Sequence, residues 1–119
     1  MPDLAEQSCV PCRGGIPPLA HDEIERYRVQ VERWDVIDDH HLVRRWDTKD
    51  FAGALALAHR FGEIAEAENH HPVLSFSWGW IEARIWTHRI DGLTASDFVL
   101  AAKFDRVAQT NPRTEAPQA

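Results

Sequence analysis

The spacing of apolar residues changes period sharply between Ala65 and Val73, and that switch decides what the chain can fold into. Ahead of it, Phe51, Leu55, Ala58, Phe61 or Gly62, and Ala65 recur at helical intervals, which predicts a long helix starting at Thr48 to Asp50 with that stripe buried. Glu66-Ala67-Glu68 closes the run. Asn69 then supplies a left-handed terminator and Pro72 forbids further helix. Beyond the switch, Phe76, Trp78, Trp80, Glu82, Arg84, Trp86 and His88 share one parity, and Ile81, Ala83, Ile85 and Thr87 share the other. That is the two-residue alternation of a strand, with Gly79 marking a bulge or a break inside it. His70 and His71 therefore fall at a helix-to-strand junction, with His88 at the strand's far end. Any packing that brings that far end beside the helix terminus gathers three imidazoles and one or two carboxylates around a concave, tryptophan-lined surface.

The rest of the chain divides around this segment. Asp22 and Glu25 form a loose capping pair opening a first helix, with Ile24, Tyr27, Val31 and Trp34 on its apolar face. Val36-Ile37 and His41 to Trp46, joined through Asp38-Asp39-His40, read as a short hairpin. The pair His40-His41 sits in that polar turn without a carboxylate-lined pocket, so a solvated role is expected for it. Asp91-Gly92 makes a turn. Thr94 with Asp97 three residues later reads as a capping box for a last helix, Ser96 to about Gln109. The order predicts an α+β domain with helices on one face of an antiparallel sheet. Residues 1–20, with four prolines and two glycines, form an irregular arm; residues 21–109 form the domain; residues 110–119 form a polar tail expected to be disordered.

A chain of 119 residues has room for one core. Its net charge of −6 would repel a phosphate backbone, and basic residues such as Arg26, Arg28 and Arg33 alternate with Glu23, Glu25 and Glu32. Direct nucleic-acid binding is disfavoured. No apolar run approaches the roughly 18 residues of a membrane span, and Met1 to Glu6 lacks the features of a signal peptide, so a cytoplasmic location is expected. Cys9 and Cys12, the only cysteines, fit a redox pair, half a zinc site or two loop thiols. With no second C-x-x-C or H-x-x-x-H to complete a ligand set, a structural or interface role is the expectation.

One pattern is more specific. Glu66, three residues, His70-His71-Pro72, five residues to Trp78, nine to His88, eight to Asp97 and two more to Leu100 resembles the signature of the pterin-4a-carbinolamine dehydratases. The resemblance extends through Trp34, Lys49-Asp50-Phe51, Trp86-Thr87-His88 and Ala101-Ala102-Lys103. It reaches the leader Cys9-Val10-Pro11-Cys12-Arg13-Gly14-Gly15 with Pro17-Pro18-Leu19. It implies a single-layer sheet of four antiparallel strands backed by three helices, and a homodimer or homotetramer formed through sheet edges and helices.

The implied reaction is loss of water from a 4a-hydroxytetrahydropterin to give the quinonoid dihydropterin, with no cofactor and no metal. Hydroxide leaves poorly at neutral pH, so a proton must reach the departing oxygen while another leaves the ring system. Imidazoles, with an unperturbed pKa of about 6.5, suit both tasks. By resemblance, His70 and His88 act as acid and base and His71 holds the substrate. Glu66, Asn69, Trp34 and Trp78 bind it, although Trp34 reads equally well as a core residue. Asn69 replaces an acidic residue found in some members, and Asp97 reads as a cap alone. Two other readings of the histidines stay open. They could form a zinc or iron ligand set with Glu66, although adjacent histidines leaving a helix seldom face one ion. Alternatively the protein could be a non-catalytic binding relative with a protein partner, as in transcription-factor dimerisation cofactors or Rubisco assembly factors.

Overall fold

The computed structural model describes residues 3–10 and 16–110. Cys12 and the tail from Asn111 lie outside the described residues. Eight segments follow in order: a 3-10 turn at Leu4–Glu6, α1 (His21–Arg28), β1 (Asp35–Ile37), β2 (His41–Asp47), α2 (Phe51–Glu68), β3 (Val73–Ser77), β4 (Trp80–Ile85) and α3 (Ala95–Thr110). The strands form one antiparallel sheet in the order β1-β2-β4-β3, and the three helices pack on one face of it. The expected architecture is present.

The details depart from the sequence reading in four places, each for a local reason. Helix α1 starts at His21, where Glu23 accepts from the Ala20 backbone N–H, so the Asp22 and Glu25 pair is not the cap. It also ends by Arg28: Val31 and Trp34 are buried, but from the turn that follows. In α2 the buried stripe is Gly53, Ala54, Leu57, Ala58, Phe61 and Ala65, while Phe51 and Leu55 remain about half exposed. Small residues let the helix rotate its alanine side onto the sheet. In the strand pair, Trp78-Gly79 form a turn, with Gly79 at φ 87°, and Ser77 pairs with Trp80. Partners in that hairpin have opposite parity, so Phe76 lies over Ile81 on the helix-covered face rather than with Trp80, Glu82 and Arg84. Finally α3 extends one residue further at each end, to Ala95 and Thr110, taking the first residue of the expected tail.

The core lies between that sheet face and the helices. Ile81, Ala83, Ile85, Leu42 and Trp46 meet Leu57, Phe61, Leu100 and Phe104. Phe61 stacks on Phe104 with centroids 4.2 Å apart. Truncating a ring such as Phe61 to alanine in a core of this kind costs about 3 to 5 kcal/mol, which makes the α2 to α3 contact a main anchor of both helices.

Candidate active site

Helix α2 ends where the sequence says it should. Asn69 adopts φ 51°, ψ 43°, its N–H donates to the Glu66 carbonyl, and the His70 N–H donates back to the Ala65 carbonyl. This double return is the Schellman arrangement. It turns the chain sharply, so that His70 points back toward α3 and Pro72 feeds into β3. At the other side of the site, β4 runs antiparallel to β3 with Val73 opposite Arg84. The chain leaving β4 at Trp86 to His88 is thereby carried past the start of β3, beside His70 and His71. A Thr87 to Gly92 bridge closes the turn that holds His88, with Asp91 in the left-handed region at its tip.

These two junctions enclose a cleft of about 450 Å³ lined by Val10, Asn69, His70, His71, Trp86, Thr87, His88 and Arg89. All three histidines singled out in the sequence are in it. His70 is nearly buried and its Nε2 donates to Asp97 Oδ1 at 2.6 Å. Asp97 is fully buried, and its Oδ2 also accepts from the Thr87 hydroxyl and the Thr94 backbone N–H, both at 2.8 Å. With a longer contact from the Thr94 hydroxyl at 3.5 Å, four donors converge on one carboxylate, which fixes the proton of His70 on Nε2 and leaves Nδ1 as the nitrogen with a lone pair. Asp97 is thus more than the cap expected from its spacing. That second role was not read from the sequence, because it depends on the fold bringing the first turn of α3 beneath the end of α2.

His71 takes the other carboxylate of the junction, hydrogen-bonding through Nε2 to Glu66 Oε2 near the exposed rim. His70 and His71 consequently turn toward different carboxylates. Among the described residues no cluster of three or more His, Cys, Asp or Glu side chains is arranged to hold a metal ion. His88 lies against the indole of Trp86, ring centroids 4.3 Å apart and planes 31° from each other.

The tryptophans of the sequence reading fall elsewhere. Trp34 does not reach the cleft: it is 1% exposed, meets Trp46 edge-on at 5.5 Å, and donates from Nε1 to Asp105 Oδ1 at 2.8 Å. Arg44 closes the same buried group at 2.6 Å from Asp105. Burial pushes the Asp105 carboxyl up and the Arg44 guanidinium down, and their mutual attraction offsets this only in part. Trp78 stands 68% exposed at the tip of the β3–β4 turn, outside the cleft lining. Trp86 is the indole that lines the cleft, and Glu66 touches it only through His71. Parity grouped Trp86 with the other strand tryptophans, and nothing in that alternation marks which one reaches the junction.

What fold and cleft together define is a single-layer α+β domain whose two chain junctions gather three histidines around one concave surface. Comparison with known proteins gives the family. A family model described as pterin 4 alpha carbinolamine dehydratase matches residues 17–107. A protein of Rubrobacter xylanophilus assigned as a pterin-4-alpha-carbinolamine dehydratase is 52% identical over 107 residues, spanning 90% of this chain and 100% of its own. A likewise assigned protein of Alkaliphilus metalliredigens is 50% identical, over 89% of this chain and 96% of its own. The chain belongs to the pterin 4 alpha carbinolamine dehydratase family. A solved transcriptional coactivator/pterin dehydratase from Brucella melitensis shares the fold, with a TM-score of 0.71 at 23% identity, covering 76% of this chain and 97% of that one.

Proposed function

We propose that the protein dehydrates 4a-hydroxytetrahydropterins to the quinonoid dihydropterin by histidine acid–base catalysis. Family membership makes it a pterin dehydratase, a hydro-lyase; the proposal adds the residues and their tasks. His70, with Asp97 behind Nε2, is the base: Nδ1 takes a proton from a ring nitrogen, and Asp97 stabilises the imidazolium that forms. The electron pair released becomes the new C=N bond as the C4a–O bond breaks. His88, protonated, gives its proton to the departing oxygen, so water leaves and both rings return to their starting states by exchange with solvent. His71, held by Glu66, binds the substrate at the rim, and the Asn69 amide and the Trp86 indole complete the contacts. The observation that carries this reading is the Asp97 to His70 hydrogen bond, since a fixed tautomer is what a one-directional proton transfer needs.

The reading extends to assembly and location. Phe51 and Leu55 expose apolar surface on one side of α2, and Phe51 packs on Phe76 of β3 at 5.8 Å, so the patch runs from the helix to the sheet edge. Self-association into a homodimer or homotetramer would cover it, in a cytoplasmic protein. No helix among the described residues is long and apolar enough to cross a membrane. Light scattering tests the assembly, and a monomeric mass would count against it. The catalytic proposal is tested by following dehydration of the 4a-hydroxy substrate by absorbance: acceleration over the spontaneous rate that disappears in His88→Ala supports it, and a protein that leaves the spontaneous rate unchanged refutes it.

A further inference from the structure

The part of the N-terminal arm from Asp3 to Val10 is tied to the domain. Leu4 is fully buried in the core and its N–H donates to Gln30 Oε1 at 2.9 Å. Lys103 Nζ donates to the Ala5 carbonyl at 3.1 Å, and Arg106 reaches Glu6 and Asp3. Further on, the Cys9 N–H donates to Glu68 Oε1 at 2.7 Å, in the last turn of α2. The Cys9 thiol donates to the Ser96 carbonyl at 3.4 Å. Val10 exchanges two hydrogen bonds with Ser96: its N–H donates to Oγ at 2.9 Å, and that hydroxyl donates to the Val10 carbonyl at 3.4 Å. Burial beside Glu68 pushes the Cys9 thiol up to about 12, so it stays a protonated clip.

Both anchor points adjoin residues of the site. Glu68 precedes the Asn69 turn that aims His70, and Ser96 precedes Asp97. Between them the segment from Asp3 to Val10 delivers Val10 into the cleft lining, where among the described residues it is the one aliphatic side chain beside histidines, an amide, a hydroxyl, an indole and a guanidinium. Val10 is 68% exposed although its backbone is fixed. An apolar group held open over a polar cleft gains its burial only when something covers it.

We propose that the anchored segment ending at Val10 is a wall of the substrate cleft and that Val10 is a specificity-determining residue, packing against bound pterin and favouring an apolar substituent on the reduced ring. This rests on the assignment of the cleft as the dehydratase site. Covering a valine side chain is worth about tenfold in affinity, and a contact made equally in ground and transition states appears in KM rather than kcat.

The test compares wild type with Val10→Asp and Ser96→Ala, the second releasing the arm's anchor. Dehydration kinetics are measured on two 4a-hydroxytetrahydropterins, one with a methyl and one with a dihydroxypropyl group at position 6. Binding of the corresponding unreactive tetrahydropterins is measured by tryptophan fluorescence, with thermal melts as a check on folding. Val10→Asp is expected to raise KM and Kd about fivefold or more, most for the methyl substrate, with kcat within about twofold. Ser96→Ala is expected to move KM in the same direction. Unchanged KM and Kd in folded Val10→Asp, or an equal rise for both substituents, would overturn the proposal. Fluorescence keeps the two readings apart: weaker binding in Val10→Asp with no effect of His88→Ala on rate would sustain the arm's role while removing the catalytic assignment.

Discussion

Replacing Asp97 by asparagine separates its two roles, because the two carboxylate oxygens have different partners. Oδ2 accepts from Thr87 and Thr94, and Oδ1 accepts from His70. An asparagine that places its single oxygen at the Oδ2 position keeps the helix cap. Its NH2 then faces His70 Nε2, and two donors cannot share that contact. The imidazole must move its proton to Nδ1, the nitrogen proposed to act as base. A positioned acid–base group contributes about 10² to 10⁴ in rate, so kcat should fall by at least about a hundredfold, with KM changed little. Exchanging a charge-assisted hydrogen bond for a neutral one costs about 1 to 2 kcal/mol, or roughly 5 to 10 °C in Tm for a domain of this size, which leaves the variant folded at 25 °C. Stopped-flow absorbance on the 4a-hydroxy substrate, with a thermal melt alongside, reads both. A kcat within about twofold of wild type would refute the tautomer argument. A fall in kcat matched by collapse of the fold would assign Asp97 to structure alone.

Two further outcomes follow from the core and the turns. Trp34→Phe removes the donor to Asp105 beside the buried Arg44 and should cost about 1 to 3 kcal/mol in denaturant melts, with KM unchanged; a large rise in KM at unchanged stability would return Trp34 to the substrate site. His41 is held below the usual histidine range by burial, with the neighbouring His40 and then Arg84 adding to the effect and Asp38 opposing it. A depressed pKa means that the unfolded chain binds more protons, so this contribution to stability is present above about pH 6.5 and is lost as pH falls through the folded value. His21 has the opposite sign: its hydrogen bond to Asp39 raises it, so its stabilisation is present below about pH 6.5 and fades as pH rises. Melts between pH 5 and 7.5 should therefore show His41→Gln losing less stability on acidification than wild type, and an identical acid slope would contradict this.

Much of the fold was legible because it depends on local signals. The Asn69 turn needs only a residue that tolerates positive φ, and Pro72 and Gly79 punctuate the chain whatever it packs against. The β1–β2 hairpin followed from its alternation and its polar turn. What the sequence hid was register and rotation. A two-residue turn at Trp78-Gly79 reverses the parity on which Phe76 was grouped, and only packing shows that α2 presents Ala54 and Leu57 rather than Phe51 and Leu55 to the sheet. The same holds at the site. His70, His71 and His88 could be named from residue type and spacing, but the partner of His70 is 27 residues away on another helix. Trp34 satisfies a pocket pattern and a core pattern equally until its Nε1 is seen to bond Asp105. The His40-His41 pair, expected to be solvated, packs against Trp86, and His40 bonds Asp91 in the turn that carries His88.

The central claim is that His70 and His88 together move the protons of dehydration. Single-turnover stopped flow at saturating protein, comparing wild type with His70→Ala, His88→Ala and the double variant, addresses it most directly. Each single variant should lose about a hundredfold or more, and the double variant should be little slower than the slower single one, because the two act as a unit. Either single variant turning over at the wild-type rate would contradict the claim.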